Sequence, residues 1–399
     1  MSETQLPVDV ETVASAPAHD EVEVIFERPL GPALTRQPWA GIAGTLIVAG
    51  LMAALAIAPG GPQTALQVSI PIVTYALPVL VVMALWWGRW PADRLNRPAS
   101  LAINTLILAA AGFGLTVAGQ AVVGRVDLDG LFSQATDQLP QAGGHLTGFP
   151  FTFPLAGMIF VAMAQLTLIN ERKPFDRLGR VWSGVAALAT AWAVGLVGYG
   201  LVANWDAVPA PARDLLSLRN PDGPVFAVDI VGWLVCIVMW QVTFGLVLGG
   251  WPFSGIKATG TRLFVANVTV IGGGWLTYLA MHDLFGWPIP VIGGVGGSVV
   301  AGVVVAALIF EGWPFRSETP ALAGFGLAVA VAAVAAGVYW GLKALGNGID
   351  DWTQYPVELW VGTTALVQAA AAGILYVLIW DRWPLPRRDA SNADVPRPG

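Results

Sequence analysis

Residues 288–310 read PIPVIGGVGGSVVAGVVVAALIF, an apolar run without one charged side chain. A helix needs about 20 such residues to cross the hydrocarbon core of a bilayer. The run then stops at Glu311-Gly312-Trp313-Pro314. Tryptophan favours the headgroup layer and proline cannot continue a helix, so this tetrapeptide reads as an exit from the membrane.

The same alternation of apolar run and exit fills the chain on both sides. Runs of about 20–25 residues, long enough to span, begin near Trp39, Gln67, Pro98, Phe149, Val181, Ala227, Arg262, Pro288, Pro320 and Glu358. The 399 residues are 55% hydrophobic and only 12% charged, with a mean hydropathy of +0.65. A soluble domain carries roughly a quarter of its residues as charges, and one core has no room for so many near-continuous apolar segments. The expected fold is an all-α integral membrane protein with about ten transmembrane helices.

Outside the runs the chain is polar. Residues 1–36 are acidic and proline-containing, without the positive start and apolar stretch of a signal peptide, and are expected to form a disordered cytoplasmic tail. Residues 37–383 form the polytopic domain, and residues 384–399 read as a second disordered cytoplasmic tail.

The exits repeat. Trp90-Pro91, Lys173-Pro174, Trp251-Pro252, Trp313-Pro314 and Trp383-Pro384 each close an apolar run. Pro91-Ala-Asp93-Arg94-Leu95-Asn96-Arg97 is echoed by Pro174-Phe-Asp176-Arg177-Leu178-Gly179-Arg180, and Gly250-Trp251-Pro252-Phe253 by Gly312-Trp313-Pro314-Phe315. Self-similarity at this spacing predicts five repeated helical hairpins, each ending at such a pair. All five would enter from one side, unlike the inverted repeats of many secondary transporters.

Charge sets the expected orientation. Arg89, Arg94, Arg97, Arg172, Lys173, Arg177, Arg180, Lys257, Arg262 and Arg316 fall in alternate connections, and Arg36, Arg382, Arg387 and Arg388 flank the first and last runs on the same side. The opposite connections hold Arg125, Arg213, Arg219 and Lys343 among many aspartates. Basic loops stay inside, so both termini are expected in the cytoplasm. The abundance of arginine over lysine, with much Ala, Gly and Val, suits a GC-rich bacterial genome, and the expected location is the bacterial cytoplasmic (inner) membrane.

Several kinds of chemistry are not indicated. A single cysteine, Cys236, precludes an intramolecular disulfide framework. No basic stripe suggests nucleic acid. No ionisable side chain falls in the central half of any expected span, which argues against a carboxylate-driven proton pump and against haem held between buried histidines. No phosphate loop, zincin motif or nucleophile elbow occurs. No cofactor is indicated, and the sequence leaves the question of a metal open.

Two groups of polar residues remain. Asn104, Gln165, Gln241 and Asn267 recur in the inner third of their helices and Gln368 lies near the middle of the last. Amides at such depth hydrogen-bond between helices or line a path for a neutral solute. At the outer face His145, Asp229, His282, Asp283 and Glu358 are candidates for a metal or proton-handling site, against the plainer reading of Asp229 and Glu358 as helix N-terminal carboxylates.

Three functions stay open. The first is a permease or channel-like protein for a small neutral or weakly charged solute. The second is a non-catalytic integral subunit anchoring a larger complex, with other membrane subunits as partners besides the lipid bilayer. The third is a membrane enzyme with its site at the outer face.

Overall fold

The computed structural model describes residue 34 and residues 36–132, 150–315, 320–353 and 355–385. The chain is an all-α, multi-pass membrane protein: nine helices among the described residues are long and apolar enough to cross a bilayer. These spans are Trp39–Ala56 (α1), Ser69–Trp86 (α3, Ser69–Val81, and its π turn), Arg97–Val123 (α4), Arg180–Val202 (α6), Ala227–Val247 (α8, Ala227–Val242, and its π turn), Thr259–Leu284 (α9, Thr259–Leu279, and its π turn), Ile289–Ile309 (α10, Ile289–Val303, and its π turn), Leu322–Ile349 (within α11, Pro320–Ile349) and Val357–Ile379 (α12, Val357–Thr363, and α13, Ala369–Ile374, with their π turns); the short α2 (Pro62–Gln67) precedes α3. The expected span near Phe149 is α5 (Phe153–Ala164), which with the turn that follows makes a shorter apolar helix, Phe153–Ile169.

The helices sort into two layers by how much of their surface other helices cover. The windows containing α3, α8, α10 and α12 are 61–78% buried, those of α1, α4, α6, α9 and α11 only 22–28%. The buried set, with α5, forms a ring: α3 packs on α5, α5 on α8, α8 on α10, α10 on α12, and the α12–α13 segment returns to α3. The other five stand outside it. Their partners lie across the Trp-Pro and Lys173-Pro174 connections, and not within the expected hairpins that end at those pairs: α4 packs on α3, α6 on α5, α9 on α8 and α11 on α10, while α1 packs beside α13.

Close approach in the ring depends on glycine at one crossing. A Cβ placed on Gly297 of α10 would lie 2.4 Å from the Gly362 carbonyl oxygen of α12, and one on Gly362 would lie 2.6 Å from the Gly293 carbonyl carbon. The small-xxx-small spacing of Gly293 and Gly297 therefore lets two backbones touch.

Each ring helix ends in the same way. The final turn widens to π geometry at Val82–Trp86, Gln165–Ile169, Thr243–Val247, Val304–Ile309 and Leu375–Ile379. Beyond each, one N–H donates five residues back and another six back, as Trp87 to Val82 and Arg89 to Met83 in the first turn, and Trp380 to Leu375 and Arg382 to Tyr376 in the last. This is a Schellman-type end one residue wider than usual. Two successive left-handed residues follow, such as Glu171 and Arg172 (φ 53° and 64°), and then a cis X-Pro bond.

The connection from residue 205 to 225 carries the short helix α7 (Ala210–Leu216) and is flanked by a two-residue parallel pairing of Ala203–Asn204 with Val225–Phe226. Trp205 is fully buried there, donating to the Tyr199 hydroxyl at 2.7 Å. Most of residues 1–36 and 384–399, together with Arg316 and His145, lie outside the described residues.

Candidate functional site

Five arginines at the Trp-Pro end, Arg89, Arg97, Arg180, Arg262 and Arg382, are structural. Arg180 donates to the carbonyls of Trp87 and Gly88 and to Asp93 (2.7 Å). Arg262 pairs with Glu171 at 2.8 Å, and Arg382 with Glu311 at 2.5 Å. Arg97 donates to the Asp381 carbonyl, and Arg89 pairs with the Asp381 carboxylate at 3.3 Å. A guanidinium at one turn thus satisfies orphan carbonyls and carboxylates at the neighbouring turn.

Against this frame, three of the five expected amides come together. Gln241, fully buried on α8, donates from Nε2 to Gln165 Oε1 at 2.7 Å and to the Val161 carbonyl at 3.0 Å. Gln165 Nε2 donates to Asn267 Oδ1 at 2.9 Å, and Asn267 Nδ2 donates to Asn170 Oδ1 at 2.5 Å and to the Leu263 carbonyl at 2.7 Å. Four amides from three chain segments therefore form one line of donation, from inside the ring to the Lys173-Pro174 turn. Asn170 is the member that sequence reasoning missed. Positions 165 and 170 are five apart and diverge on an α-helix, where neighbours are three or four apart. The π turn over Gln165–Ile169 stacks them, with the Asn170 N–H on the Gln165 carbonyl at 2.9 Å, and both clasp Asn267.

This line opens onto a cavity of about 370 Å³, within the range of small-molecule sites. Its floor is α5 and α8, including Met158, Gln165, Trp233 and Ile237; one wall is Val194 and Val202 of α6, the other Asn267 and Ile271 of α9. The α6 and α9 walls pack on the floor helices and not substantially on one another. Val194 and Ile271 are exposed at the two edges, so the cavity is a cleft opening sideways. Trp233 Nε1 and Gln241 Oε1 are buried without a hydrogen-bond partner, and the Trp233 ring meets Trp275 edge-on at 5.3 Å.

The other two amides lie elsewhere. Asn104 donates to the Arg89 carbonyl at 3.3 Å and to Ser100 Oγ at 3.4 Å, fastening α4 to the first Trp-Pro turn. Gln368 donates to Ser69 Oγ at 3.2 Å from a π turn (Thr364–Gln368) in mid-helix. The ring axis is apolar: two voids of about 20 Å³ each lie there, bordered by Leu77, Phe153, Val231, Val235 and Leu366.

At the opposite end, His282 Nδ1 meets Asp283 Oδ1 at 2.7 Å and its ring stacks on Tyr278 at 5.4 Å. Asp229 stands in the first turn of α8. Among the described residues no group of three or more His, Cys, Asp or Glu side chains is placed to hold a metal. Glu358 is ion-paired with Lys343 at 2.7 Å. Lys343 was expected in a loop, but α11 continues to Ile349 and carries it on the helix, where its ammonium also lies 5.9 Å from the Tyr339 ring.

No protein-family model, curated protein or solved structure matches this chain, which stands by its own geometry as a multi-pass membrane protein.

Proposed function

We propose that this protein is a permease-like carrier of a small, neutral, mostly apolar solute, which it takes in sideways from the bilayer through the cleft between α6 and α9. The observation that carries the reading is the four-amide line from Gln241 to Asn170 opening onto a cleft of about 370 Å³. A largely apolar pocket with a few convergent polar groups is the usual form of a small-molecule site. The ring axis suits this role less well, because Leu77, Phe153, Val235 and Leu366 meet there around voids of only about 20 Å³ each, about the room needed for a single water.

The proposal includes five hairpin-derived units with the Trp-Pro ends and both termini in the cytoplasm, in a bacterial cytoplasmic membrane. The basic side chains gathered at that end support the orientation. A reporter fused after Pro252 is expected to be cytoplasmic; an extracytoplasmic signal overturns the topology. The carrier role is tested by flux of small neutral solutes into vesicles. Gly198→Trp should abolish it with folding intact, because a Cβ there has only Met158 Sδ near it, at 3.4 Å. Unchanged flux removes the cleft from the path.

A second reading, an integral subunit that organises a complex, draws on the exposure of Trp251, Trp313 and Trp383 at the Trp-Pro end. It requires a stoichiometric partner after purification in mild detergent.

A further inference from the structure

We infer that the cleft takes a single-chain amphiphile from the bilayer, with a neutral hydrogen-bond-accepting head at Asn170 and an apolar tail along α6 toward Val202. This rests on the cleft being the functional site, and goes beyond it in naming the class and pose of the occupant.

The shape argues for one extended chain. On α6 the cleft is bordered by Thr190, Val194, Gly198 and Val202, every fourth residue and so one stripe along the helix axis. Twelve residues of helix span roughly 18 Å. On the floor, Met158, Ala162 and Leu166 make the matching stripe on α5, and Asn267 and Ile271 continue it on α9. A long slot running parallel to the helices and open between two lipid-facing edges suits a tail that already lies along the bilayer normal.

Polarity fixes which end is which. The amides donate in one direction, Gln241 to Gln165 to Asn267 to Asn170. Both Asn267 Nδ2 hydrogens are used, on Asn170 Oδ1 and the Leu263 carbonyl. The line therefore ends at the cleft in the Asn170 amide nitrogen, whose N–H groups are donors for an acceptor oxygen. Arg262 and Lys173 share the Glu171 carboxylate, at 2.8 and 3.6 Å, while the donor that ends the amide line is an uncharged amide, which suits a hydroxyl or carbonyl oxygen. The far half of the slot, at Val202, Met158 and the ring of Trp233, offers apolar contact, the Trp233 Nε1 being itself covered by other atoms.

The test uses the purified full-length protein in phosphatidylcholine vesicles with two photoactivatable probes: a long-chain fatty alcohol carrying a diazirine at its tail end, and the matching alkane without the hydroxyl. Adducts are mapped by peptide mass spectrometry. The alcohol should label residues around Val202 and Trp233 about tenfold more than the alkane, as one good hydrogen bond allows. Asn170→Leu should erase that difference, and Gly198→Trp should remove labelling by both probes. Equal labelling of the cleft by alcohol and alkane in the unmodified protein overturns the head-group assignment while leaving the cleft as a binding site. Labelling of the cleft by neither probe, above the lipid-facing surface of α11, overturns the amphiphile altogether; the solute-flux result with Gly198→Trp judges the carrier reading separately.

Discussion

Arg180 at the start of α6 holds the Asp93 carboxylate at 2.7 Å and donates from Nε and Nη2 to the carbonyls of Trp87 and Gly88, so one side chain ties the Trp90-Pro91 turn to the helix that leaves the Lys173-Pro174 turn. The Arg180 hydrogen bond, with its charge, holds the Asp93 carboxyl below its ordinary value. A carboxylate lowered in the folded state adds stability that is complete above the unfolded value, near 4, and is lost as pH falls through the folded value. The melting temperature in detergent should therefore fall more steeply on acidification from neutral pH for the unmodified protein than for Asp93→Asn. Parallel curves would show that the link contributes nothing.

Gln165 stands in the middle of the amide line. Gln165→Leu leaves Gln241 with the Val161 carbonyl as its remaining acceptor and strips Asn267 Oδ1 of its donor. The expected cost is about 1–3 kcal/mol in denaturation measurements, together with loss of solute flux. Gln368→Leu breaks one bond, to Ser69, away from the cleft; it should cost about 0.5–2 kcal/mol and leave flux unaltered. Equal effects of the two on flux would dissolve the distinction between them.

Gly297→Leu forces a side chain into the Gly362 carbonyl and should cost about 3 kcal/mol or more, seen as an early-melting or aggregated species in fluorescence-detected size exclusion. Gly272→Ala on α9 meets nothing within 4 Å and should be neutral or stabilising by about 0.5–1 kcal/mol.

Removing either partner of the Lys343–Glu358 pair leaves a charge near the membrane with its counterion gone. Lys343→Met and Glu358→Gln should each destabilise. The double variant should recover part of the loss, giving a coupling of about 1 kcal/mol in a double-mutant cycle, in keeping with a partly exposed pair. Additive losses would show the two groups to be independent.

Much of the framework was legible because a bilayer imposes a coarse rule: apolar length defines a span, and Trp-Pro marks its exit. The meeting of Gln165, Gln241 and Asn267 followed from their similar depth. Depth says nothing of azimuth, and for that reason Asn104, placed at the same depth, faces other neighbours; Gln368, read as nearer mid-helix, meets Ser69. Asn170 was hidden by the assumption of α periodicity, since a π turn changes which residues share a face. The arginines read as loop charges that set the orientation, and Arg97, Arg180, Arg262 and Arg382 also spend hydrogen bonds on neighbouring turns. Such pairings join positions many residues apart and have no local signature. The Lys343–Glu358 pair was lost for a simpler reason: the end of α11 was placed too early.

The packing of α1 beside α13 has a consequence for how the molecule is made. The Trp360 indole reaches the Ala56 carbonyl across 304 residues of chain, and Gln37 reaches the Ile309 carbonyl across 272. During synthesis α1 waits in the membrane, one flank bare, while the ribosome adds all the intervening helices. Its final neighbour is among the last to emerge, so this contact forms only near the end of translation. Until then, whatever shields that flank, lipid or an insertion chaperone, stands in for a segment not yet made.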